Sequence, residues 1–276
     1  MKKKNLEEVR AHWQDWATQY GTNLRATTKT STAKALEIDA LHRAISSIVK
    51  GSDEKVRVLE FGCGNGQNCL SLAKLFPTAA FVGIDYIPAM VQAANELKHQ
   101  QGLSDPQLIF EEGNILDIHL PENSFDIIFT DRCLINLTSD ELQQQAIQSL
   151  SKRLKIGGHL LMIENSQATF DRQNFARQAV GLPPRSPADF NHFFDEKTLL
   201  PYLDGINLEQ VGIEDFISLH DLVLYVLVPM VNGGKVDYDH PMVAAATELN
   251  MVLSNSHDGG VGQYGQNRLY KYIRKA

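Results

Sequence analysis

Cysteine is scarce in this 276-residue chain, and the three present, Cys63, Cys69 and Cys133, form neither an even disulfide framework nor a metal-ligand spacing. A reducing, cytoplasmic setting without structural metal is expected, with the thiols serving as small buried hydrophobes. Positive charge is also in deficit, with 26 Lys and Arg against 33 Asp and Glu and a formal net charge of -7. Such a field repels a polyanion, so nucleic acid is not an expected partner. No apolar run approaches the roughly 20 residues that span a bilayer. The most hydrophobic late stretch, Leu222 to Val231, ends at Asn232-Gly233-Gly234 and reads as a buried or cap helix, so a membrane partner is not expected either. Met1-Lys2-Lys3-Lys4 runs directly into Asn5, Glu7 and Glu8 without the apolar segment of a signal peptide. Internal repeats and low-complexity tracts are missing too.

What is present is 43% hydrophobic and 21% charged residues, the material of a globular protein with a substantial core. Val56 to Phe61 is a β-type run followed by glycines and a helical pattern through Leu70, Leu72, Ala73 and Leu75. Ala80 to Asp85 is a second strand, after which Pro88 opens a helix carrying Met90, Val91, Ala94 and Leu97. Leu108 to Phe110, Phe125 to Thr130 and His159 to Glu164 continue the series. Ser139 is the predicted cap of a helix that contains Leu142, Ala146, Leu150 and Leu154 and stops at Gly157-Gly158. This alternation predicts an α/β fold, a doubly wound and mainly parallel seven-stranded Rossmann-like sheet with helices on both faces.

The flanks break the alternation. Residues 1–50 read as helical, with Trp13, Trp16 and Tyr20 on one face and a second pattern at Leu36, Ile38, Leu41, Ile45 and Ile48. After Glu164 an irregular stretch with Pro183-Pro184 leads to a short helix near Glu196 to Leu203, capped by Asp195. Val211 to Ser218 is predicted as a strand, Leu222 to Asn255 as helical around Gly233-Gly234, and Leu269 to Ile273 as the last strand. The expected organisation is an N-terminal helical segment over the cofactor (1–50), a Rossmann-like core (51–165), and a region completing the sheet with a helical cap between late strands (166–276).

In such a sheet the first βα turn lies at the ligand-binding crevice. Gly62, Gly64 and Gly66 allow a sharp bend and close backbone approach, although a purely structural tight turn would use the same residues. A dinucleotide fingerprint needs its third glycine where this chain has Gln67, so that match fails. Asp85, at the end of the second strand, can accept hydrogen bonds from both hydroxyls of a ribose, and its bland alternative is a strand-end turn residue.

The spacing Glu60-x-Gly62-x-Gly64-x-Gly66 after Val58-Leu59 resembles the first motif of class I S-adenosylmethionine-dependent methyltransferases, and Arg132-Cys133-Leu134-Ile135-Asn136-Leu137, with Ala179 to Pro183 and Phe193 to Glu196, resembles a group of bacterial small-molecule methyltransferases. The first resemblance covers residues 56–164. It implies S-adenosyl-L-methionine as cofactor, held by Glu60, Gly62, Gly64, Gly66 and Asn68, by Asp85, and by Tyr86 and Ile87 beside the adenine. It further implies that Asn114 and Ile115 meet the adenine edge, that Asp131 and Arg132 face the sulfonium end, and that Lys29 or Arg25 contacts the carboxylate. Without an Asn-Pro-Pro-Tyr-type signature after the fourth strand, a small-molecule acceptor is preferred over a DNA base or a glutamine amide. The reading is O-methylation of a hydroxyl, on a sugar or specialised metabolite, by a monomer or homodimer. Removing the hydroxyl proton needs a base, and His192, bracketed by aromatics and carboxylates, is the first candidate, with Asp131 and Glu164 as competitors. A structural histidine paired to Asp189 or Asp195 is the commoner arrangement. The rival functions are a non-catalytic S-adenosylmethionine-binding or interaction module and an NAD-dependent oxidoreductase.

Overall fold

The computed structural model describes residues 3–50, 55–255 and 261–276. Seven strands form one sheet: β1 (Arg57–Phe61), β2 (Ala80–Asp85), β3 (Leu108–Glu112), β4 (Phe125–Asp131), β5 (Leu154–Asn165), β6 (Leu208–Glu214) and β7 (Asn267–Arg274). Their order is β3-β2-β1-β4-β5-β7-β6. The pairs among β1 to β5 are parallel, and β7 runs antiparallel to both β5 and β6. The chain therefore reverses its winding between β1 and β4, which opens a crevice at the carboxyl ends of those strands.

Helices cover both faces, which is why the central strands are apolar without alternation. On one face Val58, Ile127, Phe129 and Leu161 pack with Leu41 and Ile45 of α2 (Ser31–Val49) and Leu70 and Ala73 of α3 (Gln67–Leu75). On the other, Leu59, Ile128 and Leu160 pack with Ala146, Ile147 and Leu150 of α5 (Asp140–Arg153) and Leu199 and Leu203 of α7 (Glu196–Asp204). Neighbouring strand residues thus serve opposite cores. Pro88 opens α4 (Pro88–Gln100) at its first turn, and the Ser139 side chain caps α5 by accepting from the Leu142 N–H. Before the sheet, α1 (Leu6–Tyr20) begins with a capping box of Asn5 and Glu8.

Three expectations shift. The helix α5 ends at Arg153 rather than at Gly157-Gly158, because β5 already starts at Leu154 and passes through an irregularity in its pairing with β4, where Gly157 takes φ +80°. The irregular stretch after Glu164 contains a full helix, α6 (Gln167–Ala179), capped by Ser166. Its buried face is Thr169, Phe170, Gln173 and Arg177, so an apolar period is hardly visible in the sequence. The sixth strand lies at 208–214 instead of 211–218, since its edge position leaves most of its side chains partly or fully exposed, while the apolar Phe216 and Ile217 are buried beyond it. After it come α8 (Ser218–Leu222), a π-helical turn (Val223–Leu227), α9 (Val228–Val231) and α10 (Pro241–Ser254). Among the described residues no helix is long and apolar enough to cross a membrane.

Gly158 has no room for a side chain: a Cβ there would stand 2.9 Å from the Lys155 carbonyl oxygen and 3.1 Å from that of Asp126. Backbone cannot yield as a side chain can. Gly158→Ala is expected to lower unfolding stability by about 1–3 kcal/mol, read as a lower urea midpoint at unchanged slope; an unaltered midpoint would show that the β4–β5 irregularity relaxes freely.

Candidate functional site

A cavity of about 660 Å³ lies over the carboxyl ends of the central strands. Its floor is the turn Gly62-Cys63-Gly64, the Asp85-Tyr86-Ile87 segment and the start of the β4 loop. Its roof is α1, where His12 stacks on Phe190 with ring centres 4.3 Å apart and Trp13 Nε1 donates to Asn136 Oδ1 at 3.1 Å. The residues expected at the cofactor line this cavity except Gly66 and Arg25; of the two candidates for the carboxylate, Lys29 is the one that lines it.

Asp85 organises the turn. Its Oδ2 accepts from the Gly64 N–H at 2.7 Å, and its Oδ1 accepts from the Ile87 N–H at 2.9 Å. A carboxylate offers about four lone-pair sites, so acceptor capacity remains for a diol. Burial pushes the Asp85 carboxyl up to about 6, opposed by those two N–H groups. Gly64 and Gly66 both hold positive φ, but the space a Cβ would need is taken by protein: by the Thr27 methyl at Gly64 and by the Phe110 ring at Gly66. The glycines let Thr27 and Phe110 close on the turn from outside, which is a packing requirement that the motif alone did not reveal.

Below the turn lies a buried ionic cluster that sequence reasoning missed. Lys34 of α2 donates to Asp131 Oδ2 at 2.5 Å and to Asn68 Oδ1 at 3.2 Å, and its Nζ is 2.7 Å from Glu37 Oε2. Asn68 in turn donates to Glu60 Oε1 at 2.7 Å and to Asp131 Oδ2 at 2.9 Å. Asn267 of β7 donates to Glu37 Oε1 at 3.0 Å. Arg132, at φ +53°, donates Nη2 to Glu37 Oε2 at 3.3 Å, while its Nε stands 2.9 Å from Glu37 Oε1 and 3.5 Å from Asp131 Oδ1 without hydrogen-bond alignment. Burial opposes ionisation throughout, yet the Asp131 and Glu37 carboxylates raise the Lys34 ammonium above its ordinary value. Against the same burial, Lys34 and Arg132 hold Asp131 down at about 2. Glu60, with less cationic support, is pushed by burial to about 8. Asp131 Oδ1 and Glu60 Oε2 are buried with no hydrogen-bond donor. The signal was present in α2, where Lys34 and Glu37 occupy the stripe that continues through Leu41 and Ala44.

Two of the three expected bases stand elsewhere. His192 does not line the cavity; its Nε2 lies 2.6 Å from Asp140 Oδ1 and its Nδ1 is 3.1 Å from Lys3 Nζ. Both ring nitrogens are engaged, Nε2 tying the loop before α7 to α5 and Nδ1 tying it to the segment before α1. Glu164 is wholly buried outside the cavity, where Oε1 accepts from Thr130 Oγ1 and from the Leu134 N–H and Oε2 accepts from the Ile135 N–H. It holds the turn after β4. Asp131 does line the cavity, but the cations beside it leave it a weak base.

Two histidines line the cavity: His12, stacked on Phe190 in the roof, and His220 on α8, which is paired with a carboxylate. The Nδ1 of His220 is 2.8 Å from Asp221 Oδ1, and its Nε2 is 3.1 Å from Thr32 Oγ1. Asp221 Oδ2 accepts from the Gln266 N–H at 2.7 Å. A carboxylate at Nδ1 favours the tautomer that carries its proton there and leaves the Nε2 lone pair as the acceptor. In the sequence this pair is visible only as His-Asp ahead of the apolar run.

Fold and site together define a Rossmann-like α/β protein with a nucleoside-type crevice at the switch point. A family model described as a methyltransferase domain matches residues 52–197, more than half of the chain. The chain belongs to that methyltransferase-domain family, as its first motif implied. A malonyl-acyl-carrier-protein O-methyltransferase of Paenibacillus sp. (strain JDR-2) is 27% identical over 49% of this chain and 50% of its own length. An arsenite methyltransferase of Mus musculus is 33% identical over 39% of this chain and 30% of its own. The chain thus spans half or less of these relatives. Among solved structures, the magnesium protoporphyrin IX methyltransferase of Synechocystis PCC 6803, with bound SAM, shares the fold with a TM-score of 0.60 at 11% identity, covering 99% of this chain and 98% of the other.

Removing Lys34 would leave Asp131 and Glu37 short of charge in a dry site. Lys34→Met is expected to cost about 3–5 kcal/mol of stability, the usual penalty for breaking a buried ion pair from one side. Chemical denaturation that finds the variant within about 1 kcal/mol of the parent would mean that Arg132 and water compensate the carboxylates.

Proposed function

We propose that the chain is an S-adenosylmethionine-dependent methyltransferase acting on a small-molecule hydroxyl, with His220 as the base. The observation that carries this is a single cavity in which the glycine turn and Asp85 stand at one end and the His220–Asp221 pair at the other. The donor set suits the cofactor. Asp85 has acceptor capacity for a ribose diol, Tyr86, Ile87 and Ile115 offer surface for a purine, Asp131 Oδ1 is a buried acceptor without a donor and matches an ammonium, and Lys29 at the rim matches a carboxylate. When bound, the cofactor supplies an electrophilic methyl group. The chain's part is to hold it, exclude water under α1, and take a proton at His220 Nε2. Asp221 fixes the tautomer and would stabilise the imidazolium that results.

The relatives named above are called after malonyl-acyl-carrier protein and arsenite. Such diversity points to no single acceptor, so the acceptor class is read from this chain's own residues. The oriented His–Asp pair in the cavity favours an enzyme over a binding module, because a module has no use for an aligned base.

Asp85 gives the cofactor interaction a pH dependence. Its carboxylate form accepts hydroxyl donors and its neutral form accepts them less well, so affinity is expected to be full above about pH 7 and to fall as the pH drops through about 6. Calorimetric titration with S-adenosylmethionine should show this slope in the parent. It should be flat in Asp85→Asn, at an affinity about 10- to 100-fold lower at neutral pH. A parent affinity independent of pH between 5 and 8 removes Asp85 from cofactor recognition.

His220→Ala is expected to slow methyl transfer by about 10²–10⁴-fold while cofactor affinity stays close to the parent's. Transfer within a few-fold of the parent would sink the base assignment, and His192→Ala serves as the comparison expected to change chemistry little.

A further inference from the structure

Arg185, on the loop between α6 and α7, lines the acceptor end of the cavity. Its guanidinium carbon is 3.4 Å from the centre of the Tyr225 ring and 5.5 Å from that of Phe170. Arg185 Nη1 donates to Gln173 Oε1 at 2.5 Å and Nη2 donates to Gln266 Oε1 at 3.1 Å. Both acceptors are neutral, and a guanidinium carries more N–H donors than they use. Among the described residues no carboxylate lies within ion-pair distance of it.

A second cation stands behind it. Arg177 of α6 is buried, donates Nε to the Pro183 carbonyl at 2.9 Å and donates Nη1 to the Tyr225 carbonyl in the π-helical turn. Its neighbours likewise include no paired carboxylate, and burial together with Arg185 lowers its pKa. The acidic group at this end is Asp221, whose two oxygens are taken by His220 Nδ1 and the Gln266 N–H. The two ends of the cavity therefore differ in pairing. At the cofactor end Lys34 and Arg132 lie against Glu37 and Asp131, whereas at the other end Arg185 lines the cavity with neutral partners and with Arg177 buried behind it.

We propose that the methyl acceptor carries an anionic oxygen group, carboxylate or phosphate, gripped by Arg185, beside a flat apolar part packed on Phe170 and Phe193. The stacked guanidinium is held in plane by Tyr225, which orients its fork for oxyanion recognition instead of leaving it mobile. Phe170 and Phe193 meet edge to face at 5.1 Å and form a wall of fixed shape. This deepens the methyltransferase reading of the same cavity and rests on it.

The test uses the whole chain with S-adenosylmethionine labelled in its methyl group. A bacterial metabolite extract is split by anion exchange into retained and unretained fractions, and part of the retained fraction is treated with alkaline phosphatase. Label is expected in acceptors from the retained fraction, and its sensitivity to phosphatase assigns phosphate or carboxylate. Arg185→Gln should cut that incorporation by about 10- to 100-fold with cofactor affinity unchanged, as for a lost hydrogen bond to a charged group, and Arg185→Lys should fall between. Should Arg185→Gln also lose cofactor affinity, Arg185→Lys decides, and it must lose incorporation while still binding the cofactor. Label only in acceptors from the unretained fraction, or equal incorporation by parent and variants, overturns the anionic acceptor. Absence of label from every fraction, with the parent still binding cofactor, instead overturns the methyl-transfer reading beneath it.

Discussion

The contact on which the rest of the site depends is the ammonium of Lys34 set between Asp131, Glu37 and Asn68. Five elements meet there: α2 through Lys34 and Glu37, α3 through Asn68, β1 through Glu60, β4 through Asp131, and β7 through Asn267. Burying so many charges gains little net stability, because desolvation offsets the Coulomb attraction. What it gains is position. An ammonium that must satisfy two carboxylates and an amide leaves α2 little freedom to slide along the sheet, so the floor of the crevice and the segment that carries Thr27 to Thr32 are fixed together.

The same economy operates one layer higher. Asp85 binds the N–H groups of Gly64 and Ile87, so the first and second βα turns are joined by the residue best placed to receive a diol. Any ligand that hydrogen-bonds Asp85 therefore feels the geometry of both turns, and disturbance of either is transmitted to it. Preorganised acceptors of this kind cost little further ordering when the ligand arrives. The Thr27 methyl, at the cavity wall, and the Phe110 ring, outside it, are packed where glycine side chains would be and complete the constraint.

The sheet and the cofactor end were legible in the sequence because they are local. Ala80–Asp85 appears as a strand with its predicted bounds, and Gly62, Gly64 and Asp85 stand within one turn of the predicted strand ends. The acceptor end was hardly legible, for a physical reason. It is assembled from α6, whose buried face is polar apart from Phe170, from the loop holding Arg185, and from α8, so its residues have no common period and no short spacing. His192 looked catalytic because aromatics and acids surround it in sequence. In space those neighbours point it toward Asp140 and away from the cavity, while His220, surrounded in sequence by apolar residues, faces inward.

The two ends of the cavity are anchored differently. The cofactor end is built on strand termini whose positions are tied to both hydrophobic cores, and a substitution there must disturb the sheet or the Lys34 cluster. The other end hangs on side-chain pairs, Arg185 on Tyr225, Phe170 on Phe193 and His220 on Asp221, with ties onward to Thr32, Gln266 and Ile135. Substitution of Arg185 alters charge at one wall of the cavity without removing a hydrogen bond of the Lys34 cluster, so the two are expected to act nearly independently. One end of the cavity therefore rests on rigid elements and the other on a wall whose side chains can be exchanged, so the two can vary separately on one fold.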